Sequence, residues 1–125
     1  MLYLKVNDIL YPADFTGKMN DVAWDNRESK TIHSSDNIMN VLEDDTPWYI
    51  VDRKEITRQV VIDGEPQFDE NGNPIMETVT EETVYDNSDY CVLGDRTIHN
   101  DNTYSVTMGK QTDLEEAYEL LYGGE

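Results

Sequence analysis

Alternating apolar and polar residues predict that this chain is built mainly of β-strands. In the clearest case Tyr104, Val106 and Met108 alternate with Ser105 and Thr107, which is the period of a half-buried strand. The residues before this segment have the pattern of an approach strand, a corner and the first arm of a hairpin. We therefore predict that a sheet forms the core.

The beginning of the chain predicts another hairpin. Residues 2–6 and 9–11 are mostly apolar and flank Asn7-Asp8, two residues that tolerate the positive φ angles of a tight turn. Pro12 indicates a strand end or a sheet edge, because proline cannot donate to a ladder. Trp24, in the polar stretch that follows, is expected to be a core anchor.

The next segment predicts strand, helix and strand. Residues 29–33 suit a short strand, and residues 34–36 offer N-caps for a short internal helix over 37–43. Pro47 lies in the segment that ends this helix. Residues 48–51 have the aromatic and β-branched content of a buried strand.

Residues 53–83 predict a protruding β-hairpin arm. Its strands, 53–62 and 75–83, are rich in Thr, Val and charge, and the turn dipeptides Asp63-Gly64 and Asn71-Gly72 lie between them. Neither strand has a clean apolar alternation, so we expect a weakly specified register and a mobile tip.

A C-terminal helix is the most strongly signalled element. Thr112 and Glu115 have the spacing of a capping box, and acids crowd the first turn. Leu114, Ala117, Tyr118 and Leu121 form one apolar face. We expect this face to dock on the protein's own sheet, with partner binding as the alternative.

These elements predict a mainly β (α+β) fold. We expect an antiparallel sheet, or a small sandwich or barrel, with the protruding arm, one short internal helix and the C-terminal helix. With 125 residues, the chain has room for one domain over 1–125, and the arm over 53–83 is part of that domain.

The chain is strongly acidic. It contains 27 Asp and Glu against nine Lys and Arg, a formal net charge of −18 at pH 7. Such a charge repels phosphate backbones and anionic membranes over a Debye length of about 10 Å, so we expect no direct contact with nucleic acid or membrane. The acids are spread along the chain, which is typical either of a soluble anionic surface or of a negative face for a basic partner.

No group of residues has the spacing of a catalytic, cofactor or metal site. His33 and His99 are 66 positions apart, without a ligand motif, and we expect both to be ordinary strand or turn residues. Asp69, Asn71 and Asn73 imitate the start of a calcium loop, but Gly72 and Pro74 stand where the motif does not allow them. Cys91, the single cysteine, has no motif of an activated thiol. We predict a protein that is not an enzyme and needs no cofactor.

Candidate partner-binding residues remain on the arm. A ladder of carboxylates leads out of it, joined by an aromatic residue in the connection between its strands: Glu77, Glu81, Glu82, Asp86 and Asp89, with Phe68. Spaced carboxylates on a β-scaffold can imitate duplex phosphates, or they can pair with a basic neighbouring subunit.

The chain resembles a family of small proteins encoded by phages and prophages of Firmicutes, commonly near tail and lysis genes. The residues that carry this resemblance are 24–30, 48–51, 85–90, Gly94-Asp95 and 106–110. The segment 69–74 is also similar to hairpin tips of phage structural proteins. The resemblance implies phage origin and no established activity.

Two functions from different classes follow as hypotheses. The first is a non-catalytic structural or tail-associated accessory protein of a phage, which works through protein contacts. The alternative is an acidic, nucleic-acid-mimicking inhibitor of a host defence nuclease. A small hydrolase or nucleotide-binding protein is a third, weaker hypothesis.

The expected partner is a virion subunit or a host protein with a basic surface, and homo-oligomer formation is left open. The expected location is the host cytoplasm or the virion.

Overall fold

The computed structural model describes residues 1–123, and most of this length is β-strand. In chain order the elements are β1 (Leu2–Val6), β2 (Ile9–Pro12), β3 (Asp14–Asp21), β4 (Arg27–Ser34), β5 (Tyr49–Gln59), β6 (Val61–Ile62), β7 (Glu65–Pro66), β8 (Met76–Asp86), β9 (Val92–Ile98), β10 (Tyr104–Gly109) and α1 (Asp113–Tyr118). A 3₁₀ turn over Val22–Trp24 and a π-helical turn over Glu119–Gly123 complete them. No helix within residues 1–123 is long and apolar enough to cross a lipid bilayer.

Two four-stranded antiparallel sheets form the body. The first has the strand order β2-β1-β5-β8, and the second has the order β3-β4-β10-β9. Side chains from both sheets share one core, so the body is a small sandwich. The predicted mainly β fold with antiparallel sheets and a C-terminal helix is confirmed.

The predicted hairpin at the start of the chain is also confirmed. β1 pairs with β2 from Tyr3 with Pro12 to Val6 with Ile9. Asn7 and Asp8 between them have φ angles of 51° and 64°, as a two-residue turn that matches the strand twist requires.

Trp48 lies at the centre of the core. It is fully buried, its indole N–H donates to the carbonyl of Tyr90 at 2.9 Å, and its ring lies beside those of Phe15 and Tyr90. Val106 and Met108 of β10 are buried in the same cluster, as predicted, but Ser105 at one of the polar positions of that strand is buried as well.

The predicted internal helix over 37–43 is wrong, because this segment forms turns. Ile38 and Leu42 are both fully buried, so the apolar spacing identified core residues. The side chain of Asn37 accepts from the backbone N–H of Met39 at 3.1 Å, and such local bonds compete with a helix. The Asp44 carboxylate accepts from Leu93 N–H at 2.8 Å, which holds the segment against β9.

Trp24 is not the core anchor that the sequence predicted. It is half-buried and packs against the second sheet, where its ring lies over the backbone of Gly94 and Gly109. The guanidinium of Arg27 lies 4.6 Å from the ring centroid. Glycines at these two strand positions leave the space that the indole occupies.

The predicted arm is present. β5 and β8 pair without interruption from Tyr49 with Asp86 to Gln59 with Met76. β1 accompanies β5 only as far as Asp52, which pairs with Leu2. The rest of β5 and β8 is therefore a two-stranded ribbon that extends beyond the sheet.

The C-terminal helix begins as predicted, but the expected docking of its apolar face on the sheet does not bury Leu114 and Leu121. Thr112 and Glu115 form the complete capping box. Leu114 and Leu121 are nevertheless largely exposed. Attachment at the helix start is polar: the guanidinium of Arg27 donates to both carboxylate oxygens of Glu115, at 2.6 and 3.0 Å.

Candidate interaction surfaces

The acids of the arm lie on two opposite faces of the ribbon. Side chains alternate along a strand, so Glu77 and Glu81 lie on one face, and Glu82 and Asp86 lie on the other. The carboxylates therefore do not form the continuous ladder that the sequence suggested.

Basic residues of β5 oppose several of these acids. Arg53 forms an ion pair with Glu82, and Arg58 Nε lies 3.2 Å from the carboxylate of Glu77. Lys54 is the cross-strand neighbour of Glu81. The stem of the arm thus carries mixed charge, which is favourable between directly opposed strand positions.

Asp86 is the last residue of β8, and Asp89 lies in the turn between β8 and β9. The Asp86 carboxylate accepts from Ser88 N–H at 2.9 Å, and hydrogen bonds from Ser88 lower the pKa of Asp86. Asp89 is exposed in the same turn. The buried Asn87 between them donates from its backbone to Trp48, so this turn also helps to hold the core residue in place.

Apolar side chains are concentrated at the tip of the arm. Five of them are at least 41% exposed: Val61, Ile62, Phe68, Ile75 and Met76. Single exposed apolar residues are ordinary, but a group of them on one projecting segment is typical of a contact surface. Of these five, the sequence indicated only Phe68. The other four could have been found as apolar residues inside a segment rich in turn dipeptides.

The backbone of the tip is organised by two tight turns. Asp63 and Gly64 have positive φ angles and close the hairpin of β6 with β7. The Asp69 carboxylate accepts from the backbone N–H groups of Asn71 and Asn73, each at 2.9 Å. Asp69 therefore has a clear structural role in the turn. Backbone hydrogen bonds among Val60, Gln67 and Ile75 join the tip to the end of the ribbon.

A second candidate surface is an acidic groove beside α1. It has a volume of about 540 Å³, and separate parts of the chain contribute its four carboxylates: Asp45, Asp89, Glu116 and Glu119. Lys110 also lines it and lies 3.2 Å from the Glu28 carboxylate. Burial and then the charge of Asp45 raise the pKa of the Cys91 thiol in this groove, which is the reverse of what an activated nucleophile needs.

His33 lies on β4 and His99 in the turn before β10, a strand and a turn residue as expected, and the fold brings the two side chains together. His33 Nδ1 lies 2.8 Å from the hydroxyl of Ser105, and His99 Nε2 lies 2.7 Å from the same oxygen. Within residues 1–123, no three His, Cys, Asp or Glu side chains are grouped as a preformed metal site. The spacing of 66 residues gave no signal for this pair, because the strands that carry it meet only in the folded sheet.

Comparison of the chain with protein-family models, with curated proteins and with solved structures finds no match. The resemblance to phage-encoded proteins therefore remains a prediction from the residues quoted above.

Proposed function

We propose that this protein is a non-catalytic contact protein, a phage-encoded structural or tail-associated accessory protein whose arm tip binds another protein. The observation that carries this proposal is the group of five exposed apolar side chains at the end of a projecting ribbon. Exposed apolar side chains at the end of a projecting ribbon contribute little to the stability of the fold, whereas their burial against a partner stabilises a complex.

The chemistry of the tip indicates the kind of partner surface that fits it. Residues 60–76 contain four acids, Asp63, Glu65, Asp69 and Glu70, and no Lys or Arg. A matching surface has an apolar groove for Ile62 and Phe68 with basic residues at its rim. Full burial of each such side chain contributes about 1.5–3 kcal/mol, which is offset in part by the loss of freedom on association.

The test compares particles from the phage or prophage that encodes the chain. We expect mass spectrometry to find the wild-type chain in purified particles and to find much less of an Ile62→Asp/Phe68→Asp variant. Thr57→Asp/Thr80→Asp is the matched control, because it adds the same two negative charges at exposed positions of the stem and leaves the tip intact. Absence of the wild-type chain from particles, or equal amounts of the tip variant, would contradict the proposal.

The nuclease-inhibitor alternative finds support on a different surface from the one that the sequence indicated. Glu77 and Glu82 are engaged with Arg58 and Arg53 on the arm, whereas the acidic groove beside α1 collects four carboxylates in one place. Spaced negative charge in such a groove is suited to a basic nucleic-acid-binding cleft.

A nuclease inhibition assay at two salt concentrations tests this alternative. The double variant Glu116→Lys/Glu119→Lys should abolish inhibition, and the wild-type inhibition should weaken at high salt. The matched control is Glu70→Lys/Glu81→Lys, a change of the same sign and size at exposed positions of the arm. Inhibition that survives the groove variant, or none by the wild type, excludes this mechanism.

A further inference from the structure

β8 is the free edge of the first sheet and of the arm. The strand order β2-β1-β5-β8 leaves its outer side without a neighbouring strand in residues 1–123. Its pairing with β5 on the inner side continues over all 11 residues of the strand, whereas a typical strand has about 5–6 residues. The unpaired edge is therefore long and regular.

The register shows which backbone groups of β8 point outward. Just beyond the two ends of the pairing, Asn87 N–H donates to Trp48 at 2.9 Å and Val60 N–H donates to Ile75 at 2.7 Å. Both pairs continue the register of β5 with β8, and hydrogen-bonded pairs alternate with non-bonded pairs in an antiparallel ladder. The residues of β8 with odd numbers therefore bond to β5. Those with even numbers direct their N–H and C=O groups away from it, and between the tip and the body these are Thr78, Thr80, Glu82 and Val84.

The other edges of the two sheets carry features that oppose pairing with a further strand. β2 is four residues long and contains Pro12, and β3 and β9 have irregular registers with their neighbours. The free part of β5 carries Lys54. Short strands, proline, lysine and bulges are the ordinary means by which sheet edges avoid new partners. β8 has no proline, lysine or bulge, so it is the edge best suited to accept a strand.

We propose that the outer edge of β8 pairs with an extended, basic segment of another protein, which adds a strand to the first sheet. The outward N–H and C=O groups form the hydrogen bonds, as in peptide recognition by β-strand addition. β8 contains no Lys or Arg, and it carries four acids, which are Glu77, Glu81, Glu82 and Asp86. Opposite charges on neighbouring strands are favourable, so Lys or Arg side chains of the added segment fit beside these acids.

A second copy of this chain fits the edge less well. Its β8 would bring the same acids to the seam, and antiparallel pairing about Glu81 would place two like charges directly opposite each other, which is destabilising. The competing explanation is that the acids only keep the edge unpaired in solution, and then a basic strand has no preference for β8. This inference goes beyond the proposed function, because it depends on the backbone of β8 and not on the apolar side chains of the tip.

Titration of the full chain with a synthetic peptide of alternating Lys and Val, about eight residues long, separates the two explanations. Hydrogen exchange followed by ¹H–¹⁵N spectra reports on each amide of β8. We expect the peptide to protect the outward amides, such as Thr80, while Glu81 and Thr83, which already bond to β5, change little. A peptide of alternating Glu and Val is the control for charge and should not bind. Protection without this alternation, or no binding of the Lys-Val peptide, would overturn the proposal.

A pair of proline variants separates strand addition from general attraction to the acidic surface. Thr78→Pro removes an outward N–H but no bond to β5, and it should weaken binding of the Lys-Val peptide roughly 10-fold. Thr57→Pro is the matched control, because Thr57 is the exposed cross-strand neighbour of Thr78 and by the same alternation its N–H faces the opposite edge of the ribbon. Circular dichroism checks that both variants are folded, and the exchange pattern of the wild type tests the proposal if either is not. Equal binding by the two folded variants would contradict it.

Discussion

Gly109 shows how much a single residue position decides in this protein. An added Cβ there would lie 2.3 Å from Arg27 Cδ and 2.8 Å from the Trp24 ring. Arg27 is buried, and its Nη1 donates at 2.6 Å both to the carbonyl of Lys110 and to Glu115. The space above Gly109 is therefore needed by the tryptophan and by the arginine that anchors α1.

We predict that Gly109→Ala destabilises the protein by about 1–3 kcal/mol, because overpacking forces neighbouring side chains out of position. The measurement is urea denaturation followed by circular dichroism. Gly17→Ala is the control, since the nearest atom to its added Cβ is a backbone oxygen at an ordinary 3.7 Å. Equal stability of the two variants would show that Trp24 and Arg27 adjust without strain.

At the scale of elements, the ion pair at the start of α1 makes the helix sensitive to acid. Arg27, and then the backbone N–H of Thr112, bond the Glu115 carboxylate and lower its pKa to about 2. Since the folded pKa lies below the ordinary value of 4.5, the contribution of Glu115 to stability is complete above that value. It is lost as the pH falls toward 2.

We predict that Glu115→Gln reduces the stability of α1 by about 1 kcal/mol at neutral pH, a modest effect because the carboxylate is partly exposed. Hydrogen exchange of the amides over 113–118 measures this change. In the wild type the same protection should fall between pH 4.5 and 2, and in the variant this part of the pH dependence should be absent. Glu116→Gln, in the same turn, is the control. A wild-type profile in Glu115→Gln would mean that the ion pair does not hold the helix.

In the arm, ion pairs between the two strands help to fix the register of β5 with β8. Cross-strand ion pairs of Arg53 with Glu82 and of Arg58 with Glu77 lie in register and favour this pairing over a slipped one. The expectation of a weakly specified register did not take these pairs into account. Glu77 and Glu82 look like part of a row of acids in the sequence of β8, but in the folded arm each forms an ion pair with an arginine of β5.

For the whole molecule, the excess of negative charge opposes the compact state. A net charge of −18 is spread over a body of 125 residues, and the acids outnumber the bases that can pair with them. Self-repulsion of this kind lowers stability at low ionic strength, where screening is weak.

We predict that the thermal midpoint rises between about 0.01 and 0.15 M salt, as the Debye length falls from about 30 to 8 Å. A gain of about 1 kcal/mol corresponds to roughly 4 °C for a domain of this size. Differential scanning calorimetry measures it, and the same titration near the isoelectric point of about 4.1 should show little salt effect. A midpoint that falls with salt at neutral pH would show that attractive ion pairs dominate.

Local sequence signals predicted those parts of the fold whose physical cause is local. Asn7-Asp8 forms its turn because both residues tolerate positive φ, and Thr112 with Glu115 caps α1 because the bonds close within four residues. The helix predicted over 37–43 was wrong because turns in the connection between β4 and β5 bury Ile38 and Leu42 without a helix. In the arm, the sequence identified Phe68 as a candidate contact residue. It did not show that the acids of β8 pair with basic residues of β5.

The β-rich class, the main turns, the cap of α1 and the acidic character follow from the amino-acid sequence, since each depends on neighbouring residues or on composition. Three features follow only from the folded arrangement: His33 meets His99, Trp24 lies over two glycines, and the apolar face of α1 stays exposed. Those outcomes depend on which strands become neighbours in a sheet, and residues far apart along the chain carry no local sign of that choice.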